Sequence, residues 1–301
     1  MEALATFSES LAGIVEAVAR SVVRIDARHA VPATGIVWSS DGVIITAEHV
    51  IEPDDGIIVA LAGGEAVPAS LVGRDPGTDL AVLRSPVTGL TPPAWADLES
   101  ARVGHVVLAL GLPGRTVRAR LGIISALGER WRTYSGGEID YYLEPDLGRA
   151  IGFSGGPLVN TRGEVLGLNT TGLRRRGFVT VPVPTLRRVA DALLTHGYVR
   201  RGYLGVGAHP VRLPAGTREQ TGQDTGLIIV AVEPASPAEQ AGLSLGDTIM
   251  SIGGQPVRTI YDLRAVLDSQ SIGATVQVRL LRGGKIHEIS MVIGELGRKT
   301  A

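Results

Sequence analysis

Three glycines crowd one serine in Gly152-Phe153-Ser154-Gly155-Gly156-Pro157, and the strand-like run Leu158-Val159-Asn160 follows at once. Glycine takes positive φ without steric cost and lets the backbone approach a ligand closely. The stretch therefore reads as a tight turn entering a strand, with the Ser154 hydroxyl pushed outward. Such a turn aims the N–H groups of Gly152 and Ser154 at one point. A hydroxyl beside two convergent amide donors is the arrangement that acyl transfer uses. Glycine–serine turns also occur in ordinary loops, so the stretch carries chemistry only if it has partners.

A serine hydroxyl needs a base, and the base needs an orienting group. The apolar run Val43-Ile44-Ile45-Thr46-Ala47-Glu48-His49-Val50 ends a strand at a histidine. The run Thr78-Asp79-Leu80-Ala81-Val82-Leu83 places an aspartate at the mouth of another buried strand. Taken singly, His49 reads as structural or solvated and Asp79 as a turn or cap residue. The three together, in the order His49, Asp79, Ser154 and each at a strand end, point to a nucleophile, its base and its orienter. His29, His105, His196, His209 and His287 have no comparable setting, and no metal-ligand spacing links them. No metal and no cofactor are expected.

The 301 residues are enough for two domains, and the 40 glycines and 17 prolines imply many short strands and turns. A net charge of -1 gives no general pull toward nucleic acid or a membrane surface. With no cysteine there is neither disulfide nor thiol chemistry, which fits an oxidising compartment without requiring one. Leu11, Ile14, Val15 and Val18 share one helical face, so residues 1–20 read as an amphipathic helix. Glu16, Arg20 and Arg24 interrupt that stretch, which is also too short to span a bilayer.

Six segments together resemble one family. They are Thr46–Val50, Thr78–Leu83, Gly152–Asn160, Gly163-Glu164-Val165-Leu166-Gly167-Leu168-Asn169-Thr170, Arg201-Gly202-Tyr203-Leu204-Gly205-Val206 and the whole C-terminal tail. The chain is similar to HtrA/DegP-type serine proteases from about residue 21 onward. The resemblance implies a mainly β protein, a chymotrypsin-like double six-stranded β-barrel followed by an α+β PDZ domain. The protease domain would span 21–198 and the PDZ domain 202–296. Strand-like runs at Val22–Ile25, Gly35–Trp38, Val43–Thr46, Ile57–Leu61 and Leu80–Leu83 would form the first barrel. Val106–Leu110 would open the second. Thr185–His196 reads as a closing helix stopped by Gly197. In the second domain Ser236-Pro237-Ala238-Glu239 is a capping box, and Thr259–Ser269 reads as a longer helix.

By this resemblance Ser154 attacks a peptide carbonyl, His49 is its base, Asp79 orients His49, and the N–H groups of Gly152 and Ser154 form the oxyanion hole. Tyr203, Leu204, Gly205 and Val206 would hold the terminal carboxylate of a peptide at the PDZ domain. The implied partners are unfolded or damaged polypeptides, C-terminal peptides and two further copies in a homo-trimer, with no nucleic acid. The chain as written reads as soluble. A cell-envelope or periplasmic place is implied if an upstream signal or anchor was removed, and a cytoplasmic one otherwise.

Phe153 stands where chymotrypsin relatives carry an aspartate that pairs with a freshly cut N-terminus, so activation would not need that ion pair. The loops Gly128–Gly137, Asp146–Gly152 and Gly172–Gly177 are candidates for activation and specificity. Before the serine the family usually reads close to Thr-Asp-Ala-Ala-Ile-Asn-Pro-Gly-Asn, whereas this chain has Pro145-Asp146-Leu147-Gly148-Arg149-Ala150-Ile151-Gly152-Phe153. Arg149 either points to solvent or charges the primary specificity pocket. Arg174-Arg175-Arg176 is either a solvated run or a recruiter of acidic substrate segments. The altered loop also leaves open a second reading, a non-catalytic chaperone or peptide-binding scaffold on the same fold.

Overall fold

A computed structural model describes residues 2–27, 31–52, 55–148, 150–174, 177–268 and 271–296. They form two compact units, 1–199 and 200–301.

The first unit opens with α1 (Glu2–Ala19). Its Val18 is buried, and Leu11, Ile14 and Val15 pack on the main core as their spacing predicts. Seven strands follow: β1 (Val22–Asp26), β2 (Ala33–Val37), β3 (Val43–Ala47), β4 (Ile58–Leu61), β5 (Ala66–Pro68), β6 (Ser70–Asp75) and β7 (Leu80–Arg84). Their order is β5-β4-β1-β2-β3-β7-β6. The two end strands, β5 and β6, are separated in sequence by Ala69 alone, so the sheet closes on itself with one strand split at a bend. This gives a six-stranded barrel in which no long edge is left open. Strands β2 and β3 are buried along their whole length, with Ile36, Ile44 and Ile45 fully inside.

The second barrel contains β8 (Val106–Gly111), β9 (Arg118–Gly128), β10 (Trp131–Arg132), β11 (Glu138–Ile139), β12 (Tyr142–Pro145), β13 (Pro157–Asn160), β14 (Val165–Thr170) and β15 (Val179–Pro182). Six of these run in the order β12-β9-β8-β13-β14-β15, and β12 packs back onto β15 to close the ring. β10 and β11 form a separate hairpin within the loop after β9. Helix α2 (Val183–His196) starts two residues before the sequence-based start at Thr185, because Pro184 fits the first turn of a helix. It buries Leu186, Val189, Ala190 and Leu193, and Gly197 closes it at φ 80°.

The second unit holds β16 (Gly202–Tyr203), β17 (Val206–Arg212), α3 (Ala215–Thr221), β18 (Thr225–Val232), α4 (Pro237–Gln240), β19 (Thr248–Ile252), β20 (Gln255–Pro256), α5 (Ile260–Val266), β21 (Thr275–Arg282), β22 (Lys285–Val292) and β23 (Gly294–Glu295). Its main sheet runs β17-β18-β19-β21-β22, which leaves β17 on an edge. The core of this unit is its own and includes Leu204, Leu227, Ile249, Leu263 and Leu280. Ser236 caps α4, and Thr259 with Asp262 forms a full capping box on α5. Helix α5 is shorter than the expected Thr259–Ser269: it ends at Val266, and Ser269 lies outside the described residues.

Candidate active site

The end of β3 and the start of β7 are hydrogen-bonded neighbours, with Ala47 opposite Leu80. His49 follows one strand and Asp79 precedes the other, so sheet pairing alone brings them together. Asp75 shapes the turn between β6 and β7 by accepting from the N–H groups of Gly77 (3.1 Å) and Thr78 (3.2 Å) and from the Thr78 hydroxyl (2.7 Å). Asp79 leaves that turn at φ 55°, a left-handed conformation that aspartate tolerates better than most residues. Its carboxylate then faces His49. Oδ1 accepts from the His49 backbone N–H at 2.9 Å, and Nδ1 of the ring lies 2.8 Å from Oδ2 and 3.0 Å from Oδ1. The side chain of Asp79 is 5% exposed and that of His49 is 30% exposed, so the imidazole is anchored at one end and reachable at the other.

Residues 170–172 close over this pair. The Thr170 hydroxyl donates to Asp79 Oδ2 and accepts from the N–H of Gly172 (2.9 Å). Gly172 lies flat on the His–Asp contact: a Cβ there would sit 2.7 Å from Asp79 Cγ and 2.8 Å from His49 Nδ1. Glu48 lies beside them. Burial pushes its carboxyl above the ordinary value, opposed by Arg74, whose guanidinium is 3.3 Å away, while the Asp79 charge adds to the rise.

Ser154 comes from the turn before β13. The Gly152 carbonyl accepts from the Thr34 hydroxyl (2.6 Å), and the Ser154 carbonyl accepts from the Thr34 N–H (3.2 Å). Thr34 of the first barrel thus holds both carbonyls on one side of the turn. Among the described residues the N–H groups of Gly152 and Ser154 have no protein acceptor, while the Phe153 N–H is 3.4 Å from the Ala150 carbonyl. Gly152 has φ 82°, and a Cβ on it would meet Pro113 Cβ at 2.5 Å. No other residue type fits there. The Phe153 ring is buried in the second barrel against Gly111, so it anchors the turn by packing and presents no charge. The Ser154 hydroxyl lies 3.3 Å from the Thr171 hydroxyl, and among the described contacts this, not the His49 ring, is its hydrogen-bond partner.

The structure therefore joins His49 and Asp79 directly and links them to Ser154 through the consecutive residues Thr170 and Thr171. Sequence reasoning missed both threonines and the packing of Gly172. Arg174 is exposed at the surface, where its guanidinium donates to Tyr142 (2.6 Å) and Glu144 (2.6 Å) on β12. Burial, then the hydrogen bond to Glu144, pushes the Tyr142 phenol up to about 12. Arg149, Arg175 and Arg176 lie outside the described residues. No group of histidine, aspartate and glutamate with metal-binding geometry occurs among the described residues.

In the second unit Tyr203, Leu204, Gly205 and Val206 lead into the edge strand β17. Gly205 has φ 80°, and a Cβ on it would meet Ser236 Oγ at 2.7 Å. The carbonyls of Leu204 and Gly205 are occupied by the N–H groups of Ala238 (2.9 Å) and Glu233 (2.8 Å). The N–H groups of Leu204 and Gly205 have no acceptor among the described residues. The Tyr203 hydroxyl donates to Glu233, and that bond raises the phenol above its usual range.

Residues 33–168 match the trypsin-like peptidase domain and residues 202–293 match the PDZ domain. A solved serine endoprotease from Yersinia pestis is 31% identical, with 94% of this chain and 97% of that one covered at a TM-score of 0.72. The chain belongs to the HtrA family of serine proteases. The HtrA-type protease AlgW, solved with a decapeptide, is 25% identical, with 95% and 99% covered and a TM-score of 0.72. A probable periplasmic serine endoprotease, DegP-like, of Rhizobium meliloti is 35% identical over 272 residues, or 87% of this chain and 53% of the relative. The chain spans about half the length of the curated relatives it matches. The double-barrel and PDZ architecture expected from sequence is that of the family.

Proposed function

We propose that the chain is an HtrA-type serine endopeptidase that cleaves unfolded or damaged proteins. The observation that carries this reading is the His49–Asp79 pair bonded at 2.8 Å beside Ser154 and two unoccupied amide donors. Ser154 Oγ attacks the substrate carbonyl carbon while His49 Nε2 takes its proton. Asp79 keeps Nδ1 protonated and stabilises the imidazolium. The N–H groups of Gly152 and Ser154 bind the oxyanion, and losing one such donor costs about 2.7–4 kcal/mol. His49 then protonates the leaving amine, and water enters by the same route to release the acyl group from Ser154. For this to begin, the Ser154 hydroxyl has to leave Thr171 for His49.

The PDZ domain binds C-terminal peptides, with the carboxylate on the N–H groups of Leu204, Gly205 and Val206. The free edge of β17 supports this reading, because such an edge accepts an added strand. A periplasmic location is supported by the curated relatives, which are described as periplasmic. A homo-trimer is supported by α1, which packs Leu11, Ile14 and Val15 inward but leaves Leu4 74% and Phe7 42% exposed. Light scattering at the elution peak measures the mass directly.

The test of catalysis is a serine-directed fluorophosphonate label, run beside digestion of unfolded casein. Labelling and digestion by the wild type but not by Ser154→Ala or His49→Ala support the protease. Suppression of aggregation without labelling or cleavage overturns it in favour of a scaffold.

A further inference from the structure

The hydrogen-bond parity of β17 limits how much of a peptide the PDZ edge can read. Leu213 N–H donates to Asp224 O at 2.9 Å, and Glu233 N–H donates to Gly205 O at 2.8 Å. Between these points Arg212 faces Thr225, Val211 faces Gly226, His209 faces Ile228 and Gly207 faces Ala231. The register shift after Gly207 leaves Val230 as the extra residue on β18, so β17 itself alternates without interruption. Residues 207, 209, 211 and 213 therefore turn their backbone groups toward β18, as does the carbonyl of Gly205, whose N–H has no acceptor there. Residues 206, 208, 210 and 212 turn theirs to the open edge. The third of these is Pro210, which has no N–H to give. Proline is tolerated on an edge strand for this reason, and it also blunts the edge.

We infer that Pro210 ends the peptide ladder, so that the PDZ domain reads only about the last four residues of a C-terminal tail. This rests on the C-terminal-peptide reading above. A peptide whose carboxylate sits on the amides of Leu204 and Gly205 runs antiparallel to β17. Its last residue pairs with Val206 and the third from the end with Ala208, each with donor and acceptor present. The fifth from the end meets Pro210, where the carbonyl can accept but the ring replaces the donor. The side chains of Leu204, Val206 and Ala208 pack toward the core that contains Leu263 and Val266 of α5. The last and third-last peptide side chains point the same way. Apolar termini are the class that fits, and the small Ala208 leaves room at the third-last position.

The experiment titrates the full chain with free-acid peptides ending in valine, leucine or phenylalanine, extended by alanine and serine from three to eight residues. In the wild type Kd is expected to improve up to four residues and then change less than about twofold, below the net effect of one hydrogen bond. In Pro210→Ala, peptides of five or more residues are expected to gain a further three- to tenfold, about one hydrogen bond. A wild type that keeps gaining beyond four residues as the variant does overturns the inference while leaving peptide binding intact. If no peptide binds, or C-terminally amidated peptides bind equally well, the PDZ reading itself fails, and the inference with it. Hydrogen exchange on the wild type gives an independent readout. With a saturating eight-residue peptide, the N–H of Ala208 is expected to slow and that of Arg212 to stay fast, and slowing at Arg212 overturns the proposal.

Discussion

Thr170 anchors Asp79 as Asp79 in turn anchors His49. Its hydroxyl donates to the carboxylate oxygen that also faces the ring and takes a hydrogen bond from Gly172 in turn. Hydrogen bonds to charged groups contribute about 1.5–3 kcal/mol. Thr170→Val is therefore expected to lower kcat on a casein-derived peptide by about 10- to 150-fold at nearly unchanged KM, with Thr170→Ser recovering most of it. Gly172→Ala drives a methyl into the Asp79–His49 contact, so activity is expected to fall at least as far while the melting temperature moves little. Thr171→Ala acts in the opposite sense. It removes the partner that holds the Ser154 hydroxyl, and the rate of fluorophosphonate labelling is expected to rise. An unchanged rate would mean that the serine already samples the His49 rotamer freely.

At the scale of elements, the loop after β9 leans on the Asp79 turn. The Thr133 hydroxyl donates to Gly77 O at 2.6 Å and accepts from Gly137 N–H at 3.0 Å, all of it buried. A Cβ on Gly137 would also meet the Gly77–Thr78 peptide. Thr133→Val leaves the Gly77 carbonyl and Gly137 N–H without that partner, at a cost of about 1–3 kcal/mol in the stability of the first unit. A matching loss of kcat would place this loop in the support of Asp79, whereas a stability change alone would make it a structural tie. The strands that carry His49, Asp79 and Ser154 were legible in the sequence because each is a continuous apolar run with a polar residue at its end. The Thr170–Asp79 bond joins residues 91 apart and leaves no local trace. Helix α3 went unread because Ala-Gly-Thr-Arg-Glu-Gln-Thr has no apolar period, and only Thr217 is buried. The meaning of Pro210 appears only once β17 has a register.

At the scale of the whole molecule, two separate cores imply two cooperative transitions, and acid should act on them unequally. In the second unit the Asp247 carboxylate, only 2% exposed, takes Arg282 at 2.7 and 2.6 Å and the Ser244 N–H at 2.8 Å. Burial alone would push its pKa up. The Arg282 hydrogen bond and charge, with the Ser244 bond, outweigh burial and hold it below the usual carboxylate range. A carboxyl depressed in the folded state stabilises fully above its unfolded pKa of about 3.9, and that contribution is lost as pH falls through the folded value. The transition of residues 200–301 should therefore move down in temperature between about pH 4 and pH 2. Asp247→Asn keeps the shape and removes the titration. It should lower that transition at pH 7 by about 1.5–3 kcal/mol while flattening its decline in acid. Calorimetry of the full chain from pH 7 to pH 2, wild type beside variant, measures both. Parallel declines in the two proteins would assign the acid sensitivity to other carboxylates. A shift confined to the first transition would mean that the two units do not melt as their cores divide them.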